Sequence, residues 1–123
     1  MSPDPQADLE RLRAIAMALP RAAEKISHGQ SAFYIDKGKI FAWFWHDHHG
    51  DGETAVLVKT SSIEEQQMLI EIDPELYFRP AYLGPYGWIA IRTDRPHSDW
   101  DHLADRIATS WDHVAPPKLK GKG

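Results

Sequence analysis

The chain has 123 residues, 42% hydrophobic and 26% charged, with a net charge of −4 and no cysteine. That length gives one domain around one core, the acidic balance disfavours nonspecific attraction to phosphate backbones, and disulfides and thiolate metal sites are excluded. Met1-Ser2-Pro3-Asp4-Pro5 shows no secretory pattern and no apolar run reaches the roughly 20 residues of a membrane span, so the expectation is a soluble, cytoplasmic protein.

The predicted elements begin with a helix capped by Asp4, with Pro5 at the tolerated first position and Leu9, Leu12, Ala16 and Leu19 on one face. Pro20 ends it, because the residue before a proline is pushed away from α geometry. Two strands follow, Ser31 to Asp36 and Lys39 to Trp45, flanking Lys37-Gly38 as a two-residue link in which Gly38 supplies a positive φ. After a polar loop, Thr54 to Lys59 is a third strand rich in β-formers. Ser61 with Glu64 reads as the capping box of a second helix, whose buried side is predicted as Ile63, Met68, Leu69 and Ile72. Tyr77 to Arg79 and Trp88 to Thr93 are two further strands. The last helix is capped by Ser98 and holds Trp100, Leu103, Ala104, Ile107, Ala108, Trp111 and Val114 on one side, leaving Asp101, Asp105 and Asp112 in solvent. The order α-β(3)-α-β(2)-α specifies an α+β domain over residues 1–117, an antiparallel sheet with its helices on one face, followed by a basic tail at 118–123.

The second strand carries the functional interest. By simple alternation Ile40, Ala42 and Phe44 share one side, and Phe41, Trp43 and Trp45 the other. Both sides are apolar, whereas a sheet covered on one face should turn polar residues to solvent. Either the chain covers the second side, with the loop after Arg79 as the candidate cover, or that side meets a partner or ligand. That loop, Arg79-Pro80-Ala81-Tyr82-Leu83-Gly84-Pro85-Tyr86-Gly87, is built of residues that fix backbone shape and holds no good acid, base or nucleophile.

Catalytic signals are weak. His46-Asp47-His48-His49 has metal-ligand chemistry, but adjacent residues in a loop rarely point at one centre, and a solvated hairpin loop is the favoured reading. Ser110 with Asp112 and His113 lacks a nucleophile elbow, which favours a helix-packing hydroxyl. His28 before Gly29 is the one isolated candidate for acid-base work, set against a histidine bonded to backbone. Lys39 and Lys59 stand at the ends of apolar strands, where each can snorkel or hold an anion beside the rings.

Ala18-Leu19-Pro20, Ser27-His28-Gly29, Phe33, Gly38-Lys39-Ile40-Phe41-Ala42, Lys59, Pro80-Ala81-Tyr82, Gly87-Trp88-Ile89 and Ser110-Trp111, taken in order, resemble the MmcQ/YjbR family over about Leu9 to Val114. Trp111 stands where the family often has tyrosine. The resemblance implies a CyaY-like, secretion-chaperone-like α+β fold and carries the common label of DNA-binding protein; it brings no catalytic residues to this chain. The charge argues against a duplex, since between Ile63 and Pro96 there are six acids and three bases.

The expectation is therefore a small non-enzymatic binding module without cofactor or metal. It engages DNA through an aromatic and basic sheet face formed by Lys39, Trp43, Trp45, Lys59, Arg79, Tyr82, Trp88 and Arg92. The alternatives are a protein-interaction or chaperone-like homodimer module, and an enzyme using His28. The chain is expected to be a monomer or homodimer that does not enter membranes.

Overall fold

Asp4 accepts hydrogen bonds from the Gln6 and Ala7 N–H groups and opens helix α1, Pro5–Met17. The structure, a computed structural model, describes residues 4–36, 38–47 and 52–117. The remaining elements are β1 (Ala22–Ser27), β2 (Gln30–Ile35), β3 (Ile40–His46), β4 (Thr54–Lys59), α2 (Ile63–Ile72), β5 (Tyr77–Phe78), a 3-10 turn at Gly84–Tyr86, β6 (Trp88–Arg92) and α3 (Trp100–Val114). All pairings are antiparallel, and the sheet order is β1-β2-β3-β4-β6-β5. No helix among the described residues is long and apolar enough to cross a membrane.

The α+β arrangement holds, with one strand more than its sequence announces. Ala-Ala-Glu-Lys-Ile-Ser has little β character, yet β1 pairs with β2 along its full length through a two-residue turn. His28 and Gly29 both have positive φ, 52° and 79°, the backbone of a type I′ hairpin turn. The β2–β3 link differs from expectation. Gly38 is outside the left-handed region; a Cβ there would sit 3.1 Å from the Ile35 carbonyl oxygen, so the glycine serves a close approach instead. Lys37 lies outside the described residues.

A bulge decides which side chains face which layer. Phe33 opposes Ala42 while Tyr34 opposes Ile40, so Phe41 is the extra residue on β3. Strict alternation therefore fails at this point. Phe41 joins Ala42 and Phe44 on the helix-covered face, packed with Leu12, Val56, Val58, Ile89, Leu103 and Ile107. Ile40 crosses to the opposite face with Trp43 and Trp45.

Two helix details shift from expectation. The α2 cap is Ser62, one residue late, with Glu65 reaching back to Ser61 N–H. Its inward side is the fully buried Gln66 with Leu69 and Ile70, while Met68 and Ile72 are 50% and 69% exposed. Asp99 caps α3, and Ser98 instead bonds the Arg92 carbonyl. Leu103, Ile107, Ser110 and Trp111 are its buried stripe.

Candidate ligand groove

The face of the sheet away from the helices carries a row running across strands, Lys25–Ala32–Trp43–Leu57–Ala90–Phe78. Small residues at Ala32, Ala55 and Ala90 leave room for indoles to lie on the sheet. Trp43 and Trp45, two positions apart on β3, meet edge to face with ring centroids 6.2 Å apart. Leu83 from the proline-rich loop packs on this cluster as a partial roof. Trp43, Trp45 and Trp88 are only 7–8% exposed, so the face is a covered cleft and not an open aromatic platform.

The cover is incomplete. A cavity of about 600 Å³ remains between sheet and loop, bounded by Trp43, Trp45, Ile40, Leu83, Tyr82 and the β1–β2 turn with Ser27, His28 and Gln30. A second hollow of about 470 Å³ shares Ile40, Trp43 and Leu83 with it. Lys25, Lys39, Lys59 and Trp88 line the second hollow, together with His113 and Val114 from α3. The volume of the first hollow lies in the range of small-ligand sites.

Charge is sorted by residue type. Lys25, Lys39 and Lys59 are the three lysines among the described residues, and all three line this second hollow. Among the described residues no carboxylate lines either hollow. Lys59 Nζ donates to the Tyr86 carbonyl at 2.7 Å, and Lys25 Nζ lies 5.0 Å from the centre of the Tyr34 ring. The arginines, by contrast, hold the scaffold together. Arg13 pairs with Glu24 at 2.6 Å, Arg92 with Glu53 at 2.8 Å and Arg106 with Glu65 at 3.4 Å. Hydrogen bonds from these arginines hold the Glu24 and Glu53 carboxyls below the ordinary glutamate range, and the Ser61 N–H does the same for Glu65.

The YjbR family model matches residues 17–113. This chain belongs to the YjbR family. The crystal structure of Deinococcus radiodurans protein DR2400, a DUF419 domain, is similar to it, with a TM-score of 0.70 at 18% identity over 94% of this chain and 81% of that one. No curated protein matches the sequence. The DR2400 likeness shows a shared fold.

In this YjbR chain the geometry brings together six of the eight residues expected at the site. Lys39, Trp43, Trp45, Lys59, Tyr82 and Trp88 line the two hollows. Arg92 shares the sheet face, in the row Trp45–Ala55–Arg92, but its guanidinium is committed to Glu53, to the Pro74 and Glu75 carbonyls, and to the Phe78 ring. Arg79 is exposed and rests its stem against Gly84, and it lines neither hollow. Lys25, Ser27 and Gln30 were not foreseen, because they arrive through the unpredicted β1 hairpin.

The remaining chemical candidates resolve locally. Ser110 Oγ donates to the Phe41 carbonyl at 2.6 Å and accepts from Lys59 N–H at 2.8 Å, which makes it a packing hydroxyl. His46 Nδ1 lies 2.8 Å from Thr54 Oγ1. His48 and His49 lie outside the described residues, as does the 118–123 tail. His28 stands exposed on the groove rim in the left-handed hairpin turn.

Proposed function

We propose that this YjbR chain is a non-enzymatic cytoplasmic binding module that takes a single-stranded nucleic acid in the groove. Phosphates lie along Lys25, Lys39 and Lys59, and an unstacked base rests on the aromatic floor. The observation that carries this reading is the sorting of charge: in a chain of net charge −4, every described lysine lines one hollow in whose lining no described residue is an acid. A lysine beside aromatic surface suits an anion attached to a flat apolar group.

Single strands fit better than duplex. Helix α3 exposes Asp101, Asp105 and Asp112, and α2 exposes Glu64 and Glu71, so neither helix offers a basic face to a duplex backbone. A splayed single strand can insert one base at a time into a narrow cleft.

Fluorescence anisotropy with a labelled oligothymidylate, set against a duplex, tests this. The expected result is a single-strand preference at low salt, with log K falling against log[salt] by about 0.7 per phosphate contact, hence a slope near −2 for three lysines. Lys39→Ala and Lys59→Ala should each weaken binding and flatten that slope. No binding at micromolar protein in low salt, or indifference to both substitutions, ends the proposal. A dimer in sedimentation together with no binding would favour a protein-contact role.

A further inference from the structure

We infer that Tyr82 closes the apolar end of the groove over a single planar base, held in place by a loop that works against tyrosine's own backbone preference. The inference rests on the groove reading above and names which part of the ligand sits where. Leu83 N–H bonds the Ala81 carbonyl at 2.6 Å around Tyr82, whose φ is +65°. That is a γ-turn with positive central φ, the rarer and strained form. A bulky side chain in left-handed backbone is an outlier, tolerated where the surroundings over-determine it and concentrated at ligand sites.

The surroundings here do over-determine it. Gly84 N–H bonds the Pro80 carbonyl at 2.9 Å, closing a wider turn around the inner one. The buried Gln66 amide donates to the Gly84 carbonyl at 2.8 Å and the Trp88 carbonyl at 2.6 Å, tying the loop to α2. Yet the ring itself gains no core burial, since Tyr82 is 70% exposed. It is a rim residue of the cavity floored by Trp43 and Trp45, with Ser27, His28 and Gln30 also lining it from the β1–β2 turn. Aromatic surface of this kind accepts the flat face of a ring, while the Gln30 amide and Ser27 hydroxyl offer donors and acceptors for a ring edge. A nucleobase has that combination, and the lysine end then receives its phosphate.

The test is tryptophan-fluorescence titration with thymidine monophosphate and with oligothymidylate, on the wild-type chain, Tyr82→Phe and Tyr82→Asn. Asparagine accepts left-handed backbone and lacks the ring. Tyr82→Phe should bind both probes within about twofold of wild type, and Tyr82→Asn roughly tenfold more weakly, the loss of one stacking partner. The melting temperature of Tyr82→Asn should equal or exceed that of wild type. Binding by Tyr82→Asn within about twofold, or an equal loss in Tyr82→Phe, overturns the inference. So does a clear fall in the melting temperature of Tyr82→Asn, which would make the ring structural. Oligomer binding that survives Tyr82→Asn but falls with Lys39→Ala sinks this inference and leaves the strand-binding proposal standing. Tyr82-dependent capture of the monophosphate without oligomer binding does the reverse.

Discussion

Ser110 Oγ donates to the Phe41 carbonyl oxygen at 2.6 Å, so a hydroxyl from α3 plugs the sheet at the residue that the bulge leaves over. The same oxygen accepts Lys59 N–H at 2.8 Å, and the β3–β4 register begins only at the next pair, Ala42 with Val58. One hydroxyl thus satisfies two backbone groups that the ladder would otherwise pair. Ser110→Ala leaves both buried without partners, and the expected cost is about 1–3 kcal/mol. Urea denaturation measures it; a loss below about 0.5 kcal/mol would mean that water or a register shift replaces the hydroxyl.

Gln66 invites a second substitution. It is fully buried, its amide nitrogen holds both ends of the Gly84–Trp88 segment, and its own oxygen has no partner among the described residues. Gln66→Met keeps the volume and removes both donors. Stability should fall by about 1–2 kcal/mol, moderated because the unpaired oxygen leaves too. Ligand affinity should fall as well, since the groove wall is no longer tied to α2. Unchanged affinity in a destabilised variant would show that the wall holds its place without this tie.

Gly84 and Arg79 should prove coupled. A Cβ at Gly84 would come within 2.5 Å of Arg79 Cγ and 2.6 Å of its Nε, so the arginine stem must move. Gly84→Ala should destabilise the chain by about 1 kcal/mol or more, and most of that loss should vanish in Gly84→Ala/Arg79→Ala. Strict additivity in the double-mutant cycle would place the clash elsewhere.

The dependence of stability on pH follows from carboxyls shifted in opposite directions. Glu53 is lowered from an ordinary value of 4.5 in the fold, chiefly by the Arg92 hydrogen bond, so its contribution is complete above that value and is lost as pH falls through the lowered one. Glu24 and Glu65 act with the same sign. Glu53→Gln should therefore flatten the acid limb of a melting-temperature profile while lowering stability near neutrality. Asp8 is raised, mainly by burial and against a hydrogen bond from Thr93 Oγ1. Its stabilising contribution belongs to low pH and is lost as pH rises through the raised value, so Asp8→Asn should gain stability at pH 7. An acid limb unchanged in Glu53→Gln would contradict this account.

The sequence makes some of this legible and hides the rest for identifiable reasons. The Asp4 cap, the Thr54–Lys59 strand and most of the Trp100-to-Val114 stripe are local signals that stand where their spacing puts them. Ala108, expected inside, is exposed, and Ser110 takes an inward place because its hydroxyl bonds the sheet. Strand β1 is held by pairing with β2, not by its own residues, so Ala22–Ser27 has no β signature to read. The bulge at Phe41 is equally silent, because it depends on register against β2, and it moved two side chains across the sheet. At the site, Trp43, Lys39 and Tyr82 announce themselves by composition. Their convergence with Lys25 and Gln30 depends on a hairpin that no pattern reveals, and the cleft depends on where Leu83 comes to rest.

The division between the two kinds of cation has a chemical consequence. Among the described residues, every ion pair uses arginine or histidine and none uses lysine. Amine-selective acylation would thus strip the cleft of its positive charge and leave the cross-braces of the framework intact. On the proposed reading, one reagent would abolish binding while the arginine ion pairs stay in place.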